Sequence, residues 1–356
     1  MNRIDSFLEL VTQQHGSDLH LVSGEPPRIR IHGALHGVRF RILSADDLKR
    51  ILEEIMNDTL RERFFTTRAV DFAYESPVVG RFRVHAYHHH RGIGAALRPV
   101  PLEVPGFDEL GLPPAIKAVI GHRKGLTLVT GPTGSGKSTT LAAMVDIINS
   151  TTNGHIVTIE DPIEYVHRYK QCVISQREIG DHAPNFAEAL RGAVREDPDL
   201  IMVGELRDQE SISQALTAAE AGIQVLGTLH TRGATGTIDR IVNVFPEKQQ
   251  ELVRHMLADG LRMIVSQRLV PTADHASRVP AVELLVNTAA AATMIRTGQA
   301  HKLMTVIQSS RRTGMQSLDG ALRELMQRKV ITAESAYEHA LDRTQFERYL
   351  VRTDAA

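Results

Sequence analysis

The segment between residues 126 and 140, LTLVTGPTGSGKSTT, has the residue types and spacing of a phosphate-binding loop. Its glycines let successive backbone N–H groups approach phosphate oxygens closely, and the following helix directs the positive end of its dipole at them. Lys137 is expected to reach the β and γ phosphates of a nucleotide, and the Ser138 hydroxyl to hold Mg²⁺. The predicted nucleotide-binding residues are Gly131, Pro132, Thr133, Gly134, Ser135, Gly136, Lys137, Ser138 and Thr139.

The flanking residues supply the structural context that such a loop requires. Leu126, Leu128 and Val129 predict a buried strand before the loop. After it, apolar side chains recur at helical spacing, at Leu141, Met144, Val145 and Ile148. A Gly/Ser loop that merely turns a strand into a helix is the alternative interpretation, and this context disfavours it.

Three further apolar runs end in polar residues. They are HIVTIEDPIEY (155–165), DLIMVGELRD (199–208) and IQVLGTLHT (223–231). Strands separated by helix-length sequence predict a parallel α/β sheet, whose strand ends gather at the edge where ligands bind. We therefore expect the polar ends of these runs to meet the phosphates.

Phosphoryl transfer needs a positioned water, Mg²⁺ and positive charge rather than covalent catalysis. Glu205 is predicted to orient and polarise the attacking water. Glu164 is predicted to hold Mg²⁺ through a bridging water or to share the water-positioning task, and His230 to donate to the γ-phosphate. Arg191 and Arg195, four apart on a helix predicted to begin near residue 185, either neutralise phosphate charge or pair with acidic neighbours.

The N-terminal hundred residues predict a small α+β domain with two helices, the second beginning at Ser44, and four strands. Two strands are predicted at 18–22 and 28–32, and two more are predicted after the second helix. Between Ser76 and Leu102 there are four arginines and four histidines but no Asp or Glu. This edge, which includes Arg83 and Arg98, is expected to carry unbalanced positive charge that faces an anion or only solvent.

Five prolines in the sixteen residues from Pro99 to Pro114 forbid a continuous helix and indicate a stiff linker. The predicted organisation is a domain at 1–98, a linker at 99–114 and a nucleotide-binding domain at 115–356. Beyond Pro246, apolar residues predict helices interrupted by one short strand at 282–286. The residues taken as helical there are Leu252, Met256, Leu261, Ile264 and Val265.

Composition narrows the functional classes. A net charge of −1 argues against a dedicated nucleic-acid binder, which is normally basic. The sequence contains no apolar run long enough to span a membrane and no signal-peptide layout, and the single Cys172 allows neither a disulfide nor a four-cysteine zinc site. We therefore expect a cytoplasmic protein.

The ordered motifs GPTGSGKSTT, TIEDPIEY, GELRD and GTLHT resemble the Walker A motif, Asp box, Walker B motif and His box of the secretion-type hexameric ATPases. SDLHL, RFRVHAYHHHRG and RTGMQSLDGAL are most similar to those of the type IV pilus retraction ATPases, the PilT-like branch that powers twitching motility. This resemblance extends over about residues 4–330.

The resemblance implies a RecA-like P-loop ATPase core of α/β class, a smaller PAS-like α+β N-terminal domain, C-terminal helices and assembly into a homo-hexamer. ATP and Mg²⁺ are the implied cofactors, and Glu205 takes the place of the catalytic glutamate. Arg83 and Arg98 match arginines that the N-terminal domain brings to nucleotide, and Arg191 and Arg195 match a pair within the core. An inner-membrane pilus platform protein, and a paralogous retraction ATPase, are the implied partners at the cytoplasmic face of the membrane.

One segment departs from the family pattern. Retraction motors usually read AIRNLIRE where this chain has AAATMIRT from Ala290, which keeps only Ala290, Ile295 and Arg296. An accessory paralogue that acts mainly through partner contacts is therefore an alternative to a principal motor. A nucleic-acid translocase on the same core is a third interpretation, which the neutral charge and few aromatic residues disfavour.

Overall fold

A computed structural model describes residues 2–31, 33–101, 103–121 and 124–350. The chain divides into two compact units: a smaller one, Met1–Glu103 with Pro162–Val166, and a larger one, Val104–Asp161 with His167–Ala356. The change of unit after residue 103 lies in the proline-rich segment, which we propose as the linker between domains. No local feature of the sequence indicated that Pro162–Val166, which contains Glu164, belongs to the smaller unit.

The smaller unit is an antiparallel six-stranded sheet packed against three helices. Its elements are α1 (Asp5–Gln13), β1 (Asp18–Val22), β2 (Arg28–Ile31), β3 (Ala34–Gly37), α2 (Ala45–Ile55), α3 (Asp58–Thr67), β4 (Ala69–Ser76), β5 (Gly80–His89) and β6 (Gly92–Pro99). The strand order is β3-β2-β1-β6-β5-β4. Alternate strand residues such as Leu19 and Phe82 share one core with helix residues such as Leu48.

Both predicted helices of this unit are present. α2 begins with a capping box, in which the N–H of Asp47 donates to Ser44 Oγ at 3.1 Å and the N–H of Ser44 donates to Asp47 Oδ2 at 3.0 Å. The four predicted strands are β1, β2, β4 and β5, although β2 ends at Ile31 and His32 lies outside the described residues. The sequence missed β3 and β6, because β3 is exposed along its length and β6 is rich in Gly and Ala.

The larger unit is a seven-stranded sheet with helices on both faces. Its elements are α4 (Ala115–Ile120), β7 (Gly125–Thr130), α5 (Lys137–Thr151), β8 (His155–Glu160), β9 (Val173–Glu178), α6 (Phe186–Ala193), β10 (Leu200–Val203), α7 (Gln209–Glu220), β11 (Gln224–Leu229), α8 (Gly233–Asn243), α9 (Glu247–Gly260), β12 (Leu261–Pro271), β13 (Arg278–Val286), α10 (Ala289–Arg296), α11 (Leu303–Ser309), α12 (Leu318–Gln327), α13 (Ala333–His339) and α14 (Thr344–Leu350).

The strand order of the larger sheet is β13-β12-β7-β11-β10-β8-β9. Every neighbouring pair is parallel except β12 with β13. The predicted parallel arrangement of the runs that form β8, β10 and β11 is thus confirmed. Because all three point the same way, the polar residues that follow them lie at one edge of the sheet.

The prediction of helix through residues 261–265 is wrong. Leu261, Ile264 and Val265 are buried in the strand β12, which pairs with β7 and β13. A strand covered on both faces is apolar without alternation, so periodicity cannot separate it from a buried helix. Leu252 and Met256 lie on α9, as predicted, although the side chain of Leu252 is exposed.

The last three helices pack against the ends of β12 and β13. Leu318 and Leu322 of α12 share a small core with Val270 of β12, Ala281 of β13 and Phe346 of α14. Within the described residues, no helix combines the length and the apolar character needed to cross a membrane.

Candidate active site

The glycine-rich loop joins β7 to α5 at the edge where the parallel strands end. Gly131 has φ +147°, and a Cβ there would lie 2.3 Å from the backbone oxygen of Gln267. Gly136 has φ +84° and immediately precedes α5. Both positions require glycine, because any side chain would be strained or would clash. The loop exposes residues 132–134 and buries Ser135, which leaves its tip accessible to a ligand.

Lys137 is the first residue of α5 and is only 8% exposed. Its Nζ donates to the backbone oxygens of Gly131 at 3.1 Å and Pro132 at 3.0 Å. The ammonium group is therefore held at the loop, where a cation can neutralise phosphate charge. Ser138 and Thr139 follow it, half-exposed, in the first turn of α5.

Glu205, Arg207 and His230 form a cluster beside the loop. Glu205 lies two residues beyond β10, and His230 directly follows the neighbouring strand β11. Arg207 Nη2 is 2.9 Å from Glu205 Oε2, and His230 Nε2 is 3.4 Å from the same oxygen. His230 Nδ1 is 3.5 Å from Thr133 Oγ1 of the loop. The structure thus brings together the loop, Glu205 and His230, which the sequence placed in one site.

The charge of Glu205 is set by two opposing effects. Burial alone would raise the pKa of its carboxyl group, but the hydrogen bond and charge of Arg207, with a contribution from His230, outweigh burial and lower that pKa. The same pairing raises the pKa of Arg207. Glu205 is consequently an anion at neutral pH, the form that can accept a hydrogen bond from water and polarise it.

Arg191 and Arg195 differ in their surroundings. Arg191 lies on α6 and forms an ion pair with Glu210 in the first turn of α7. Arg195 is exposed in the 3₁₀ turn Val194–Glu196 that follows α6. The prediction that both lie on one α-helix is wrong, because α6 ends at Ala193 ahead of Pro198, which disfavours the α conformation in the residue before it.

In the smaller unit, Arg83 on β5 lies directly opposite Arg98 on β6, and both are exposed. Arg98 Nη2 is 2.8 Å from Asp18 Oδ1 on β1. His85 Nδ1 is likewise 3.2 Å from Asp71 Oδ1 on β4. The expectation of unbalanced positive charge is therefore wrong, because the adjacent strands β1 and β4 supply carboxylates that lie outside residues 76–102. Leu102 lies outside the described residues.

Glu164 is exposed and belongs to the smaller unit, whereas Glu205 belongs to the larger one. Over the described ranges, no group of three or more His, Cys, Asp or Glu side chains is arranged to hold a metal ion. A Mg²⁺ ion carried by a nucleotide needs less, because it takes one or two protein oxygens and fills its remaining positions with phosphate oxygens and water. The Ser138 hydroxyl at the start of α5 fits that requirement.

The family model described as "Type II/IV secretion system protein" matches residues 2–352. The chain belongs to this family. It is 45% identical over 337 residues to the type IV pilus retraction ATPase PilT of Pseudomonas aeruginosa, covering 95% of this chain and 98% of that protein. It is 38% identical over 336 residues to the type IV pilus ATPase PilU of the same organism, covering 94% and 88%. A crystal structure of the pilus retraction motor PilT with bound ADP superimposes with a TM-score of 0.91 at 41% identity, covering 98% and 99%.

Two residues of this secretion-family site escaped the sequence analysis. Arg207 pairs with Glu205, and Gln267 contacts the phosphate loop from β12. Arg207 lies in the quoted GELRD motif, so its proximity to Glu205 was a usable signal. Gln267 had none, because the strand that carries it was not recognised and its contact with Ser135 spans more than a hundred residues.

The Arg207–Glu205 pair predicts a change in pH dependence. In Arg207→Ala the carboxylate loses the cation that lowers its pKa, while the burial that raises it remains. Glu205 should then protonate at higher pH, so the acidic limb of the kcat profile should move to higher pH. The profile of ATPase rate against pH measures this shift. Arg296→Ala, which removes an exposed arginine paired with Asp259, is the matched control and should leave the limb in place.

Proposed function

We propose that this secretion-family protein is an ATP-hydrolysing motor that acts as a homo-hexamer and powers type IV pilus retraction, with pilin depolymerisation and twitching motility as the outcome. The observation that carries the proposal is the meeting of the phosphate loop, Glu205 and His230 at one sheet edge. Similarity to the PilT retraction ATPase along almost the whole chain supports the assignment of that site to retraction.

Each residue of the site has a chemical role in this proposal. The loop residues 131–139 bind the phosphates through backbone N–H groups, and Lys137 neutralises charge on the β and γ phosphates. Glu205 orients the attacking water, with Arg207 keeping it ionised, and His230 donates to the γ-phosphate. Ser138 would hold a Mg²⁺ ion directly and Glu164 through water, and such an ion would neutralise further phosphate charge. Alternatively, Glu164 would share the positioning of the attacking water.

The arginines complete the site. We infer that Arg83 and Arg98 of one subunit approach the nucleotide bound by its neighbour, where positive charge stabilises the transition state. Arg98 is already oriented by Asp18, and Arg83 is its exposed cross-strand neighbour. Arg191 and Arg195 are proposed to neutralise phosphate charge from within the core, and Arg191 would do so only after leaving Glu210.

The proposed location is the cytoplasmic face of the inner membrane, against the pilus platform protein. An accessory role beside a paralogous retraction ATPase is the second candidate, and α10 is the observation that favours it. Of the family residues kept there, Ile295 is buried and Arg296 pairs with Asp259, so these two maintain the fold. The substituted Thr293 and Thr297 are exposed, where a partner of a principal motor would make contact.

A deletion strain with returned variants tests the proposal. Loss of the gene should give hyperpiliated cells that do not twitch, and wild-type protein should restore twitching. Lys137→Ala should not restore it, and the purified variant should lose at least about 100-fold in ATPase rate, because the loop no longer has its cation. Near-normal turnover would refute the assigned loop. Bald cells would indicate pilus assembly instead, and nearly normal twitching in the deletion strain would favour the accessory role.

A further inference from the structure

Gln267, on β12, uses both polar atoms of its side-chain amide to contact the phosphate loop and the helix that follows it. It is 1% exposed. Its Nε2 donates to the backbone oxygen of Ser135 at 2.5 Å, and its Oε1 accepts from Thr140 Oγ1 of α5 at 3.0 Å. The backbone oxygen of Gln267 is also the atom that a side chain at Gly131 would strike. One residue therefore contacts the beginning and end of the loop and the helix that follows it.

The preceding residue, Ser266, contacts the start of α8, the helix that follows the segment bearing His230. Ser266 Oγ accepts from the N–H of Gly233 at 3.0 Å. Its cross-strand neighbour Glu283 accepts from the N–H of Ala234 through Oε1 at 2.7 Å. These two N–H groups are at the start of α8, where backbone N–H groups have no acceptor within the helix. The same segment carries His230 only three residues earlier.

We propose that Ser266 and Gln267 are positioning residues for nucleotide hydrolysis, and that β12 sets the separation between the phosphate loop and the segment bearing His230. The strand is suited to this task because alternate side chains point to opposite faces, so adjacent residues reach two different elements. This inference rests on the proposed ATPase function. It adds the residues that hold the phosphate loop and the segment bearing His230 in fixed positions relative to each other.

The two positions should fail in different ways. Without the Gln267 amide, the Ser135 carbonyl and the Thr140 hydroxyl lose buried partners, and the loop loses its fixed conformation. The loop binds phosphates that ATP and ADP share, so Gln267→Ala should weaken both nucleotides by about tenfold. Ser266→Ala releases Gly233 at the start of α8 and leaves the loop intact. It should therefore keep ADP affinity within about twofold and lower kcat by about tenfold.

The experiment compares full-length purified variants by titration with a fluorescent ADP analogue and by steady-state ATPase assays. Gln224→Ala is the matched control. Gln224 is 5% exposed on the same sheet, and its Nε2 donates to the Ile120 backbone oxygen at 2.9 Å, at the opposite end of the strands. It should lower the melting temperature while nucleotide affinity and kcat stay at wild-type values.

A loss of affinity confined to position 267 and a loss of kcat confined to position 266 would support the proposal, because a merely structural defect has no reason to divide in this way. Thr140→Val provides a second variant that removes one hydroxyl from the same contact, and it too should weaken ADP binding. If both Gln267→Ala and Thr140→Val bind ADP with wild-type affinity, this inference is overturned but the proposed ATPase function is not. If Gln267→Ala does not fold, wild-type affinity in Thr140→Val alone overturns the inference. Absence of nucleotide binding by the wild-type protein would overturn both.

Discussion

Glu205→Gln should bind ATP and ADP as the wild-type protein does and should lose about 1,000-fold in kcat, since it removes the group that polarises water. The glutamine amide has nearly the shape of the carboxylate, and its oxygen can still accept from Arg207 Nη2, which lies 2.9 Å from Glu205 Oε2. In the proposed site, residues 131–139 bind the nucleotide phosphates without the side chain of Glu205. The variant should consequently accumulate as a nucleotide-loaded assembly.

Single-turnover hydrolysis and retained nucleotide after gel filtration measure these two expectations. Glu196→Gln is the matched control, because Glu196 is also a glutamate of the larger unit that pairs with an arginine, Arg177, at 2.9 Å. It should hydrolyse ATP at the wild-type rate. Loss of ATP binding in Glu205→Gln would instead identify Glu205 as a structural or metal-binding residue.

The central part of the fold followed from local sequence. β7, the loop and α5 were predicted because an apolar run, conformationally permissive glycines and helical spacing succeed one another. β8, β10 and β11 were predicted because three apolar runs, separated by helix-length sequence, each end in polar groups. β12 was not, because Leu261 to Val265 are apolar on both faces and helix and strand then look alike. Tertiary pairing with β7 decides that segment as a strand.

The candidate site was predictable to the extent that it depends on strand ends. Glu205 and His230 could be placed near the loop since both follow parallel strands. The Gln267 contact with Ser135 could not, because a glutamine in an unrecognised strand has no local signal. The carboxylate that holds Arg98 was missed for a similar reason, since Asp18 lies eighty residues earlier and reaches it only through the pairing of β1 with β6.

Arg83→Ala should be nearly inactive alone, with a loss of about 1,000-fold or more, if each active site receives this arginine from the neighbouring subunit. Arg83 suits that role because it is exposed and lies directly opposite Arg98, the second arginine proposed to approach the nucleotide. Asp18 offsets the charge of Arg98, so the exposed Arg83 guanidinium is the member of this pair that can meet an anionic ligand such as a nucleotide phosphate. Glu205→Gln alone should be inactive too, for the reason given above.

Mixed rings of these two variants distinguish a shared site from one built within a single chain. Where an Arg83→Ala core receives its arginine from a Glu205→Gln neighbour, every required group is present, so co-expressed and verified mixed hexamers should regain a measurable share of ATPase activity. Mixing Lys137→Ala with Glu205→Gln is the control. Both of those changes affect the same core, so no site in that mixture combines an intact loop with an intact glutamate, and it should stay inactive. If both mixtures are equally inactive at all ratios, then Arg83 acts within its own chain or the ring tolerates no defective site. Wild-type turnover by Arg83→Ala alone would remove Arg83 from the mechanism.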